Sequence, residues 1–164
     1  MTDRLKAWGD KKIIRIACCF IFNETGEVLL LQRHSDDLGG GKWGTAGGRI
    51  EHGEEPKAAV IREVREETGL QLDEIEELGT HEIRMPHGAV HMTSFRSIIQ
   101  GSVTIVIDPE EHHEYKWFDI STIKTGDYIL WGIPTILHDF GLLDDFDTDP
   151  TLADGSQAVL LGLL

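Results

Sequence analysis

The chain has 164 residues, of which 40% are hydrophobic, enough for one domain with a real core. Against 15 Lys and Arg stand 29 Asp and Glu, a formal charge of −14, which argues against binding to nucleic-acid backbones or anionic membranes. No apolar run has the length of a signal peptide or a membrane span, and the adjacent Cys18 and Cys19 cannot build a disulfide framework, so buried thiols and a reducing, cytoplasmic setting are expected.

In chain order, residues 12–22 (KIIRIACCFIF) are β-branched and apolar and predict a strand. The polar Asn23-Glu24-Thr25-Gly26 predicts a turn, and residues 27–31 (EVLLL) a second strand. Residues 32–41 turn polar and end in three glycines, which is loop chemistry. A second glycine-rich stretch, 43–53, leads into a helix over 56–68, with Pro56 in its first turn and Gly69 where a left-handed terminal residue is wanted. Further strands are predicted at 75–85, 90–100, 103–107 and 115–118, separated by Pro86-His87-Gly88, Gly101 and Asp108-Pro109. Ser121 is placed to cap a short helix, and residues 133–140 have the spacing of a second long helix. Residues 142–164 pass from an acidic run through Pro150 to AVLLGLL, a composition that fits a docked tail or a partner-binding segment equally. No internal repeat is present.

The segment 48–70 reads GRIEHGEEPKAAVIREVREETGL. At about 100° per residue on a helix, Glu63, Glu66 and Glu67 fall within an arc of roughly 100°. Three carboxylates on one face repel one another, and acids in the last turn oppose the helix dipole. A cation should compensate, and Mg²⁺ takes carboxylates, water and phosphate oxygens together. Gly44, Gly47 and Gly48 would let backbone groups approach a metal or a phosphate where side chains would obstruct.

Gly48, Glu54, Arg62, Glu63, Val64, Glu66, Glu67, Gly69 and Leu70 occupy every defined position of the pattern G-x5-E-x7-R-E-U-x-E-E-x-G-U, where U is aliphatic. The segment therefore resembles the Nudix box, a match with chance odds on the order of one in a million for this composition. The strand pair, Trp43-Gly44, Gly47-Gly48 and EHHEYKWF at 111–118 extend the resemblance to MutT-type members over 13–140. One departure is Thr45-Ala46, where many members have a proline, which affects loop stiffness but removes no ligand. The resemblance implies a single domain over 1–164 with an α/β/α sandwich and a mixed central sheet, the helix at 56–68 on one face and that at 133–140 on the other. It also implies Mg²⁺-dependent hydrolysis of a diphosphate bond in a nucleoside diphosphate derivative, with Mn²⁺ as a substitute ion.

Carried onto this chain, the resemblance makes Glu63, Glu66 and Glu67 metal-binding carboxylates, joined by the backbone carbonyl of Gly47. Arg62 would orient the glutamates with Glu54 as its ion-pair partner, both architectural. Glu111, six residues before Trp117, would be a further loop carboxylate on metal or water, with Glu114 the competing choice. Glu63 or Glu111 would act as general base. Arg33 and His34 match basic residues near substrate phosphates, against the plainer reading of a surface pair. Trp43 could stack on a base or serve as a packing anchor. His112-His113 and the set His81, His87, His91 lack a Cys/His pattern with zinc spacing, so no zinc site is expected.

The expected partner is a nucleotide-like small molecule, with no nucleic acid and no membrane; a homodimer is left open. A nucleoside triphosphate or modified nucleotide ranks first as substrate, and an ADP-sugar or dinucleoside polyphosphate second. Pro86, 16 residues past Leu70, lies near a position associated with ADP-sugar hydrolases but is equally explained as a turn residue. A noncatalytic nucleotide sensor or an isopentenyl-diphosphate isomerase would share the fold, but the complete box favours a hydrolase.

Overall fold

The computed structural model describes residues 12–34, 40–85, 88–123, 129 and 133–144. Seven strands form one mixed sheet: β1 (Lys12–Phe22), β2 (Val28–Arg33), β3 (Trp43–Gly44), β4 (Ala46–Arg49), β5 (Glu76–Met85), β6 (Gly88–Ile98) and β7 (His112–Phe118). The helices are α1 (Pro56–Thr68), the four-residue α2 (Ile120–Ile123) and α3 (Ile133–Asp139). The spatial order is β3-β2-β1-β6-β5, with β4 paired to β1 and β7 paired to β2. β1 and β6 run parallel along their whole length, from Lys12 opposite Gly88 to Phe22 opposite Ile98, and the other pairings are antiparallel.

β1 is the spine because both of its faces are apolar. Strand alternation sends Ile16, Cys18, Phe20 and Phe22 to one side, where they pack with Met92, Ile133, Ile136 and Leu137. Ala17, Cys19 and Ile21 point to the other, against Ala59, Val60 and Val64 of α1. The two helices thus cover opposite faces of one sheet, as the α/β/α sandwich requires. Each fully buried Ile, Leu or Phe in these layers contributes about 1.5–3 kcal/mol.

β1 and β2 are paired at Phe22 and Val28, next to the turn, and then part company. β1 continues beside β4 through residues 16–19, while β2 continues beside β3 and β7. That divergence opens the sheet where α1 ends and β7 begins.

Four expectations are corrected. Residues 103–107 are not a strand: the segment crosses the end of α1, packs Ile105 and Ile107 on the α1-side core, and gives the N–H of Val106 to the Thr68 carbonyl at 2.9 Å. Its donors satisfy carbonyls that the helix end leaves free, a competing use of backbone that periodicity does not reveal. The stretch 43–53, expected as loop, holds β3 and β4; glycine weakens a strand signal, yet at 47 a side chain would strike the β1 backbone at Ala17 and Cys18. The second helix is short, seven residues, and ends at Asp139. Asp119, not Ser121, caps α2, its Oδ1 accepting the Ser121 N–H at 2.9 Å and hydroxyl at 2.8 Å. The expected turn residues Pro86 and His87, and the tail beyond 144, lie outside the described residues.

Candidate active site

Pro56 starts α1, and Gly69 ends it at φ 71°, with its N–H on the Arg65 carbonyl at 2.9 Å. The helix buries Ala59, Val60, Val64, Glu67 and Thr68. Thr68 satisfies its hydroxyl on the Val64 carbonyl at 2.6 Å, but Glu67 carries a carboxylate into the interior and is 6% exposed. Its Oε2 accepts the Gly47 N–H at 2.8 Å. Burial holds the Glu67 carboxyl well above the usual carboxylate range; the Gly47 N–H opposes this, Glu111 and Glu63 add to it by repulsion, and Arg33 offsets part.

Glu63 lies one turn back, its carboxyl laid against the backbone of Gly48. A methyl group at Gly48 would sit 2.5 Å from the Glu63 carboxyl carbon, so a side chain there would push the Glu63 carboxyl from its place. Burial raises the Glu63 pKa, Arg62 opposes it, and Glu66 and Glu111 raise it further. Glu66 is the outward member of the three, its side chain 55% exposed.

Arg62 braces this cluster. Nε and Nη2 grip the two oxygens of Glu54 at 2.9 and 3.0 Å, Nη1 reaches Glu63 at 2.7 Å and Glu66 at 3.3 Å, and Nη2 also reaches the Arg49 carbonyl at 3.1 Å. A guanidinium has five N–H donors, and these five bonds use them all. The bond to Glu54 is the main cause of a raised Arg62 pKa, and the same bond depresses Glu54. Arg62 therefore has no donor left for a ligand and serves the protein itself.

The segment before β7 supplies the next carboxylate. Asp108 organises it: its carbonyl accepts the N–H groups of Glu111 at 3.2 Å and His112 at 2.9 Å, and its side chain accepts that of Glu110 at 2.9 Å. His34, at the end of β2, ties the loop down, with Nε2 2.6 Å from the Pro109 carbonyl and its ring 3.8 Å from that of His113. Ligand atoms of Glu67, Glu111 and His112 all lie within 4.8 Å of one another. Glu114 is exposed on β7 opposite Gln32, outside that grouping.

Where β1 and β2 diverge, a pocket opens on the α3 side of the sheet. Ile16, Phe20, Met92, Ile133 and Ile136 form apolar walls, and Arg33, Glu67 and His112 line the same space. Glu67 thus comes from the α1 layer and reaches a pocket whose walls belong to the α3 layer. Cys18 also lines it, its Sγ 3.5 Å from Ser94 Oγ. Both cysteines are free and buried, with thiol pKa values pushed up chiefly by burial, so they remain protonated and inert. The Trp43 ring meets Phe118 edge-on at 5.1 Å and packs against the α3-side core.

Of the residues predicted from sequence, Gly47, Glu63, Glu67, Glu111 and Arg33 meet around this opening, Glu54 and Arg62 stand behind it, and His34 engages the loop that carries Glu111. His112 received no role from sequence. Its place depends on a register shift between Gln32 and Arg33 that sets it opposite Arg33, a long-range fact without a local signal. His81 and His91 sit beside Asp139 and Glu82, at 3.0 and 3.1 Å.

Two opposite effects on stability follow. A carboxyl with a native pKa above its unfolded value binds protons more tightly when folded, so stability falls as pH rises from the ordinary carboxylate range through the native pKa. Metal-free Glu67→Gln should therefore melt several degrees above the parent at pH 7, an advantage that fades as pH approaches about 4; equal midpoints at neutral pH would contradict the burial account. Arg62→Ala should lower the metal-free midpoint by several degrees, because Glu54, Glu63 and Glu66 lose their common counter-charge. Calorimetry of the two variants reads both signs.

Comparison with known proteins agrees with this geometry. The NUDIX domain family model matches residues 12–135. The chain is 31% identical over 81 residues to the CTP pyrophosphohydrolase of Escherichia coli, covering 49% of this chain and 59% of the relative. It is 33% identical over 102 residues to the NAD-capped RNA hydrolase of Pasteurella multocida, covering 62% and 37%. The matches thus span less than two thirds of either relative's length. The crystal structure of a MutT protein from Methanosarcina mazei Go1 aligns with a TM-score of 0.71 and 27% identity over 80% of this chain and 94% of that one. With the family model covering most of the chain, this protein belongs to the Nudix family.

Proposed function

We propose that residues 1–164 form a single Nudix domain that hydrolyses a diphosphate bond in a nucleoside diphosphate derivative with Mg²⁺, a nucleoside triphosphate or modified nucleotide being the first substrate class. The observation that carries this reading is the buried Glu67 carboxylate, crowded by Glu63 and Glu111 and opening onto a pocket with Arg33. Such a set is unfavourable by itself and fits an oxygen-seeking divalent cation. Gly47, Glu63, Glu66, Glu67 and Glu111 would hold it, with Mn²⁺ as substitute. When bound, such an ion supplies neutralisation of the diphosphate oxygens and a more acidic water.

The chain's own groups then divide the work. Arg33, on the edge of the opening beside Glu67, pairs with phosphate oxygens. Water adds to one phosphorus, the bridging P–O bond breaks, and two phosphate products leave; Glu63 or Glu111 takes the proton of that water. Their location beside Glu67 supports both as bases. Arg62 and Glu54 keep the carboxylates in place and touch no substrate. His34, bound to the Pro109 carbonyl, contributes mainly through the loop, and Trp43 through packing. The two free thiols accord with a reducing, cytoplasmic setting.

The relatives named above act on different nucleotides, so substrate is decided by products. With Mg²⁺ and a panel of triphosphates, ADP-sugars and dinucleoside polyphosphates, the fastest turnover is expected on a triphosphate or modified triphosphate, releasing a nucleoside monophosphate and inorganic pyrophosphate. Faster release of a sugar phosphate or of two nucleotides would favour the second class. Glu66→Gln and Glu67→Gln should each lower turnover by at least about a hundredfold. Near-parent rates in both would refute the ligand assignment, and binding of nucleotide without turnover in the parent would favour a sensor.

A further inference from the structure

Resting on that reading, we infer that His112 is a nitrogen ligand of a second metal position, shared with Glu67 and Glu111, which takes a first-row transition ion such as Mn²⁺ in preference to Mg²⁺. The carboxylates of Glu63 and Glu66 and the Gly47 carbonyl are oxygen donors, and the position they would form is suited to a hard ion. The grouping of Glu67, Glu111 and His112 is chemically different. It combines two carboxylates with an imidazole, and its ligand atoms already lie within 4.8 Å of one another.

Three features direct His112 to this use. It is 6% exposed, so its ring is not a solvated surface group. It lines the same pocket as Glu67, so the imidazole and the carboxylate face a common space. Its backbone N–H is fixed on Asp108 at 2.9 Å, in the loop that also presents Glu111.

Donors about 2.1 Å from one ion can be no more than about 4.2 Å apart. Closing the observed spread therefore needs a shift of at least about half an ångström, and more where donors sit side by side on the ion, which the exposed Glu111 side chain can make. Glu67 Oε2 accepts the Gly47 N–H, which fixes the carboxylate beside both sets of donors. An imidazole donor suits transition ions, whereas Mg²⁺ keeps oxygen ligands. An ion held there beside the first would add to the neutralisation of a diphosphate's charge.

Pulsed electron paramagnetic resonance of the Mn²⁺-loaded full chain tests this directly. The native protein should show modulation from a directly bound nitrogen, which changes when its histidines carry ¹⁵N. His112→Gln should abolish the nitrogen coupling and weaken Mn²⁺ binding by about tenfold or more, with Mg²⁺ affinity changed by less than about threefold. His113→Asn should keep the coupling, and metal-free melting curves establish that the variants fold. Because the isotope comparison uses the native chain, the test survives a His112→Gln protein that does not fold. Tightly bound Mn²⁺ without nitrogen coupling, or coupling that persists in folded His112→Gln, would overturn the inference while leaving the proposed hydrolase intact. Absence of any Mn²⁺ or Mg²⁺ binding by the native chain would overturn both.

Discussion

A carboxylate buried on the docking face of α1 is the constraint around which the rest of the structure is arranged. Residues 60, 64, 67 and 68 must all face the sheet if the helix is to pack, and at 67 the sequence supplies Glu in place of an apolar residue. The Gly47 N–H meets one of its oxygens, but Glu63 and Glu111 stand nearby and raise the cost of its ionisation. A protein folded for stability alone would place Leu or Met there. The strain is consistent with a site in which local stability is exchanged for ligand chemistry.

The surrounding residues limit that strain. Arg62 uses all its donors on Glu54, Glu63, Glu66 and the Arg49 carbonyl, so the outer carboxylates share one fixed counter-charge. Gly48 removes the Cβ that would collide with the Glu63 carboxyl, and Gly47 lets β4 lie against β1. These glycines weaken the strand as a strand but let a helix end, a short strand and the spine approach closely enough for Glu67 to pass between layers. The divergence of β1 from β2 supplies the opening into which it passes. Site and fold are therefore one problem: the gap in the sheet that exposes the carboxylate also creates the pocket beside it.

Much of this was legible in the residues. The run KIIRIACCFIF, β-branched and apolar, read as a strand, and the spacing from Pro56 to Gly69 delimited α1. The geometry of a helix sufficed to bring Glu63, Glu66 and Glu67 to one side. What local pattern could not convey is which of the three turns inward: Glu66 is more than half exposed while Glu67 is buried, a distinction set by the docking angle on β4 and β1. The apolar residues 103–107 had the composition of a strand, yet the Val106 N–H went to the Thr68 carbonyl at the end of α1. His112 was invisible for a related reason, since its neighbours are fixed by a bulge and by the ends of two other elements.

Burial holds the Glu67 carboxyl in an unfavourable, protonation-prone state, which a divalent cation bound beside it would relieve. Carbon-13 NMR titration of the glutamate side-chain carboxyls, with Glu67 assigned by comparison with Glu67→Gln, tests it most directly. In metal-free protein the Glu67 signal should titrate above the ordinary carboxylate range, and saturating Mg²⁺ should move that transition to lower pH. A Glu67 carboxyl that titrates like an exposed glutamate in the metal-free protein, and does not respond to the cation, would contradict the account.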